Sequence, residues 1–258
     1  MKRRSRGRIL LIRRKYVAAA ALILAVIGIF TIINHPAIVG VSGRQRTLPI
    51  YSVEREDRTM SLSFNTSDTG DAHTLQILQI LNAADVRATF FVTGNWVRQN
   101  EELAAKLAES GHELMNLSDD HSLLRRMTAA EIIENLEACN TVIETATGTR
   151  PTIFRAPYGG YDDKLIHLAA SMGLRTVQWS IDSGDWRISD PQAIVRQVQN
   201  RAFPGGIVLM HSNLAQTAAA LHAVIEGLQA DGYTLIPVSE LVLDCAYTTS
   251  ITGRQIPV

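Results

Sequence analysis

Cysteine is nearly absent from this chain of 258 residues: Cys139 and Cys245 are the only two, and they lie far apart. There is no CxxC pair, so cysteine-held zinc modules and dithiol redox motifs are excluded. The two could still pair in an oxidising compartment. The preferred reading is two buried, small, apolar, unpaired side chains, as free cysteine often is. Aromatic residues are also scarce, at 6%, and no internal sequence repeat is present. With 46% hydrophobic and 19% charged residues, the composition suits one ordinary globular domain plus an extra apolar segment.

Neither sign of charge is in excess overall, because 25 basic side chains balance 25 acidic ones. That balance hides an asymmetry. Lys2, Arg3, Arg4, Arg6, Arg8, Arg13, Arg14 and Lys15 hold 8 of the basic residues with no acid among them. The remaining 17 basic against 25 acidic residues leave a body of net charge −8. An acidic body argues against nucleic acid as a partner. The run Val17 to Ile33 contains no charged residue, and its length of about 25 Å as a helix matches the apolar core of a bilayer. Basic residues before such a run keep the N-terminus in the cytoplasm and send the rest outside. A cleavable signal peptide is the alternative, but no small-x-small site stands out before Asn34-His35-Pro36. The expected organisation is a cytoplasmic segment over 1–15, a single-pass signal-anchor over 16–34, a spacer over 35–57 and one domain over 58–258.

Within that domain, short apolar runs alternate with helical patterns. Strands are expected at Met60–Phe64, Ala88–Val92, His112–Met115, Ile153–Arg155, Thr176–Trp179, Ile207–Met210 and Thr234–Ile236. Helices are expected at Thr74–Asn82, Asn100–Ser110, from the capping box Thr128-Ala129-Ala130-Glu131 to Gly148, and at Asp162–Met172, Asp190–Arg201 and Ala215–Gln229. About seven strand–helix units, with strands apolar on both faces, predict an α/β fold. A closed or nearly closed β/α barrel is the first choice and an open doubly wound sheet the second.

The stretch Ile153-Phe154-Arg155-Ala156-Pro157-Tyr158-Gly159-Gly160-Tyr161 shows how such a strand ends, with β-formers giving way to residues that break the ladder. Arg155 then points into the mouth that the strands enclose. The other strand ends bring Asn65, Thr66, Ser67 and Asp68, then Asn116 to His121, then Asp182, Asp185 and Trp186, then His211. Each has a duller reading singly: a capped turn at Asn65–Gly70, a solvated loop at Asp119-Asp120, a backbone-satisfied His211, a core Trp186. Gathered on one rim, they make a candidate site.

Six motifs in order now show a family likeness: Ser63-Phe64-Asn65-Thr66, Ala88-Thr89-Phe90-Phe91, Gly111-His112-Glu113-Leu114, Arg155-x-Pro157-Tyr158, Asp185-Trp186 and Leu209-Met210-His211. From Thr59 to Val242 the chain resembles the polysaccharide deacetylase (NodB homology) family, most closely its membrane-anchored sporulation-type members. The resemblance implies an irregular (β/α) barrel of about seven strands after the N-terminal transmembrane helix. It also implies removal of acetyl from N-acetylated sugars of peptidoglycan or chitin-like glycans, with zinc or another divalent metal activating water. In the family's pattern Arg155 orients the catalytic base, the backbone near Tyr158 holds the oxyanion, and Pro157 and Tyr158 flank the sugar. Asp185 and Trp186 support one wall, and His211 protonates the leaving amine.

The likeness breaks where the metal chemistry would sit. Asn65 occupies the base position, Thr66 the metal-binding aspartate position, and Leu117 the first metal-binding histidine position. His121 is the one retained ligand, and Asp68, Asp119 or Asp120 would have to rebuild a site around it. Two functions therefore stand side by side: an amide hydrolase of cell-wall glycans with a rebuilt metal site, and a non-catalytic glycan-binding or scaffold protein of the cell envelope.

Overall fold

The structure, a computed structural model, describes residues 47–66 and 73–258. The expected cytoplasmic segment, the anchor, the first part of the spacer and Asp68 all lie outside the described residues. No helix among the described residues is long and apolar enough to cross a membrane.

In chain order the elements are β1 (Ser52–Val53), β2 (Thr59–Asn65), α1 (Thr74–Ala83), β3 (Thr89–Val92), α2 (Gly94–Gln99), α3 (Glu101–Glu109) and β4 (Glu113–Asn116). Next come α4 (Ala129–Thr147), β5 (Ile153–Phe154), α5 (Asp163–Ser171), β6 (Arg175–Thr176), β7 (Ile181–Asp182), α6 (Pro191–Gln199) and β8 (Ile207–His211). The chain ends with α7 (Ala215–Ala230), β9 (Thr234–Leu235), α8 (Val238–Leu241), β10 (Tyr247–Thr249) and β11 (Arg254–Pro257).

Seven strands lie side by side in the order β6-β5-β4-β3-β2-β8-β7, with β9 against the start of β2. All of these pairings are parallel. β6 and β7 form the two edges, so the ring is a half-barrel and not a closed barrel. Alternation along β2 sorts the side chains. Met60, Leu62 and Phe64 are buried against Ile77, Leu81 and Leu221 of the helices. Each such burial contributes roughly 1.5–3 kcal/mol. Ser61, Ser63 and Asn65 therefore face the enclosed side, where Phe91, Met115, Leu117, Ile153, Val177 and Ile207 form a second apolar cluster.

Local signals in the sequence are reproduced closely. Thr128 and Glu131 form the capping box of α4, and Gly148 ends that helix at φ 72°. Asp162 and Asp190 cap α5 and α6 through their side chains.

The domain begins earlier than expected. The sequence predicts a spacer over 35–57, yet Ile50 and Val53 are buried, and β1 pairs with β11 at Ser52↔Arg254 and Val53↔Gln255. The Ile50 N–H donates to Thr176 O at 2.9 Å and Gln178 N donates to Ile50 O at 2.7 Å, while Val53 N donates to Gly205 O at 3.0 Å. This segment thus bridges the β6 edge and the turn before β8. Strand β7, helix α2 and the β10–β11 hairpin are further elements that the sequence pattern did not disclose.

Candidate functional site

The strand ends meet as the pattern predicts. Asn65 and His211 are register partners across β2 and β8, and Arg155 follows β5 with its N–H bound to Asn116 O at 2.9 Å. Asn65, Thr66, Asp120, His121, Tyr158, Trp179, Asp182, Trp186 and His211 line one cleft of about 790 Å³.

Arg155 is fully buried beneath this cleft. Its Nη1 donates to Asn65 Oδ1 at 3.0 Å, and its Nη2 donates to Ser63 Oγ at 2.9 Å and to Gln178 O at 3.1 Å. Its Cζ lies 3.7 Å from the centre of the Phe91 ring. Nε has no protein partner, and no carboxylate among the described residues forms an ion pair with this guanidinium. Burial alone holds its pKa well below the ordinary arginine value. The neutral amide of Asn65 stands where a counter-ion would be.

The opposite wall is complete. Asp185 is fully buried and grips His211 twice, accepting its backbone N–H through Oδ2 at 2.7 Å and lying 2.8 Å from its Nδ1 through Oδ1. Thr217 Oγ1 also donates to Asp185 Oδ2 at 2.7 Å. His211 remains partly exposed to the cleft, held in a fixed orientation that can pass a proton at its outer nitrogen.

Two aromatic side chains flank the opening. Trp186 is 61% exposed and Tyr158 74% exposed. The core alternative for Trp186 is thereby excluded. Trp186 Nε1 donates to Asp182 Oδ2 at 3.4 Å. Tyr158 takes a left-handed backbone, φ 58°, on a turn that follows buried Pro157. Such a backbone is costly for a non-glycine residue and holds the ring in a set position. The His121 ring packs edge-on against Tyr158 at 4.6 Å between centres. Pro157 shapes this turn and does not line the cleft.

The metal side differs from the family's expected set. Leu117 is fully buried in the interior apolar cluster. Thr66 is buried, with its hydroxyl near Phe91 O at 3.5 Å. Asp119 is bound to Arg98 at 2.7 Å and does not line the cleft. Asp120 reaches the cleft beside His121. Burial would raise its pKa, but hydrogen bonds from Ser122 and Asn135 outweigh that and lower it. Among the described residues, no group of three His, Cys, Asp or Glu side chains is placed to hold a metal ion. A catalytic zinc takes about three protein ligands, so the donors among the described residues do not fit one.

The motif Gly111-His112-Glu113-Leu114 lies at the other end of the strands. His112 Nδ1 accepts from Ala88 N at 3.2 Å, and desolvation, with Arg87 adding, lowers its pKa to about 4. Glu113 accepts from Thr89 Oγ1 at 2.8 Å and from the Ser239 hydroxyl. This motif ties the base of the barrel together. The two cysteines are unpaired: Cys139 is buried as expected, and Cys245 is exposed, contrary to that reading. Burial pushes the Cys139 thiol up.

Gln178, Trp179 and Thr217 were not singled out as site residues by the sequence, and Ser63 entered only as the first residue of a motif. Ser63, Gln178 and Trp179 matter through their contacts with Arg155, and Thr217 through its bond to Asp185.

The Polysaccharide deacetylase family model matches residues 52–177. The solved structure of the peptidoglycan deacetylase PdaC from Bacillus subtilis is 33% identical, with a TM-score of 0.67, covering 73% of this chain and 92% of that one. The chain belongs to the polysaccharide deacetylase family. Wild-type BA3943 from Bacillus anthracis, described as a CE4 family pseudoenzyme, superposes with a TM-score of 0.72 at 29% identity, over 81% of this chain and 70% of that one. A mutant of it is described as having restored enzymatic activity. The uncharacterized protein YlxY of Bacillus subtilis is 34% identical over 75% of this chain. The chain spans 60% of YlxY and 40% of full-length PdaC.

Proposed function

We propose that this polysaccharide deacetylase-family protein holds N-acetylated cell-wall glycan in its cleft without metal-dependent hydrolysis. In this reading it is exported and membrane-anchored, with its domain outside the cytoplasm. The observation that carries it is Arg155, fully buried, donating to the neutral amide of Asn65. An amide cannot take a proton from water, so the base step of an acyl hydrolysis has no acceptor there. Leu117 in the apolar cluster removes a second requirement, since it offers no donor to a metal.

The glycan side of the site has what a binding protein needs. Trp186 and Tyr158 offer exposed ring faces on which a pyranose can stack. Asp185 and His211 supply a polar wall. The name of PdaC, an N-acetylmuramic acid deacetylase of peptidoglycan, supports a cell-wall glycan as the ligand class, and the pseudoenzyme BA3943 shows that the family includes inactive members. The basic N-terminus and the uncharged run Val17–Ile33 support the anchor.

A second reading keeps the hydrolase, with Asp120 and His121 as the nucleus of a rebuilt metal site, because both line the cleft. Retention on purified peptidoglycan, measured beside acetate release, separates the two. Binding without acetate release is the expected result. Acetate release that stops on chelation would favour the hydrolase.

A further inference from the structure

We propose that the cleft reads the acetylation state of its glycan, with the Asn65 amide nitrogen recognising the acetamido carbonyl oxygen. This rests on the glycan-binding reading above and adds a chemical selectivity to it. Arginine carries only N–H donors, so the 3.0 Å contact from Arg155 Nη1 assigns the oxygen of the Asn65 amide to Arg155. With Oδ1 so used, Asn65 has its Nδ2 hydrogens to offer to the cleft that it lines. A carboxylate at this position would present acceptor oxygens only. Here the floor presents donors.

The surroundings point the same way. Thr66 lines the cleft beside Asn65, and the buried guanidinium of Arg155 lies directly behind, with no ion-pair partner among the described residues. The carboxylates that line the cleft among the described residues, Asp120 and Asp182, already accept hydrogen bonds. Asp120 accepts from Ser122 N, Ser122 Oγ and Asn135 Nδ2, and Asp182 accepts from Gly184 N and Trp186 Nε1. An acetamido group brings a carbonyl oxygen to this floor and finds a donor. The de-N-acetylated sugar brings an ammonium, which meets donors and a buried positive charge. Discrimination by an unmatched polar group and a like charge is an effective form of specificity.

The test is calorimetric titration of the full-length protein in detergent, with chelator present. The ligands are the N-acetylglucosamine tetramer and its fully de-N-acetylated counterpart, at a pH where the amine is protonated. The expected result is a preference of about fivefold or more for the acetylated tetramer, the size of one good hydrogen bond. Asn65→Asp, which accepts but cannot donate, should abolish or reverse that preference in a protein with unchanged circular dichroism. Asn65→Ala removes the donor without adding charge and should bring the two affinities to within about twofold. Equal affinities in the natural chain would overturn the acetylation reading and leave glycan binding intact. Binding of neither tetramer would remove both readings. A preference that survives in both folded variants would take Asn65 out of the recognition.

Discussion

Asp185 holds His211 through both carboxylate oxygens, one on the backbone N–H at 2.7 Å and the other 2.8 Å from the ring Nδ1. With Thr217 also donating to it, this buried carboxylate fixes one wall of the cleft. On the other wall, Asn65, Thr66 and Leu117 themselves are side chains that do not ionise, and the charged group in contact with Asn65 is the buried guanidinium of Arg155. Among the described residues, the site thus keeps its Asp185–His211 pair and carries neutral side chains at the base position and at two of the metal-ligand positions.

Removing Asp185 leaves its donors stranded. Asp185→Ala should destabilise the domain by about 2–4 kcal/mol, because buried donors lose their acceptor and are not rehydrated. Urea unfolding of the natural and variant proteins measures this. A loss under about 0.5 kcal/mol, the range of a surface change, would show that the network does not support the wall.

Asn65→Asp should act in the opposite direction. It places a carboxylate against the buried guanidinium of Arg155, which now lacks an ion partner, and should raise stability at neutral pH by about 1–2 kcal/mol. The new carboxylate would have a folded pKa depressed below its unfolded value of about 3.9. The gain is then present above the unfolded value and is lost as pH falls through the folded one. Unfolding curves at pH 7 and pH 3 test it, and a variant less stable than the natural protein at pH 7 would contradict it.

His112 gives a separate pH signature. Its folded pKa of about 4 lies below the unfolded value of about 6.5. The unfolded chain therefore binds the proton first as pH drops. Stability should fall between about pH 6.5 and pH 4, by up to about 3 kcal/mol, and level off below that window. His112→Gln should lose markedly less stability over the same range. Equal losses in the two proteins would assign the acid sensitivity elsewhere.

Much of the scaffold was legible in the sequence because its signals are local. The capping pair Thr128 and Glu131, the left-handed Gly148 and the alternation along Met60–Phe64 each need only neighbours in the chain. Ile50 and Val53 were hidden for the opposite reason. Their partners are Thr176, Gly205 and the β11 strand near residue 255, and a two-residue strand has no period to detect. β7 was hidden by the same brevity. In the site, Asn65, Arg155, Asp185, Trp186 and His211 were found because each ends or follows a strand. Gln178 was not, and Ser63 entered only as the first residue of a motif, since their importance is contact with Arg155 across 23 and 92 residues of sequence.

Trp186→Ala tests the glycan wall without touching the core, because the side chain is mostly exposed. Retention on peptidoglycan should weaken about two- to tenfold, the range of one aromatic contact, while the unfolding midpoint stays put. Unchanged retention would take Trp186 out of the binding surface.

The central claim is that this family scaffold binds without metal-dependent hydrolysis because Asn65, Thr66 and Leu117 stand at three decisive positions. The most direct test is zinc content and acetate release measured together, on the natural protein and on the triple variant Asn65→Asp, Thr66→Asp, Leu117→His. The natural protein should hold no stoichiometric zinc and release no acetate from an N-acetylated oligosaccharide, while the triple variant should bind zinc and release it. Stoichiometric zinc in the natural protein that is lost on His121→Ala, with chelator-sensitive acetate release, would contradict the account.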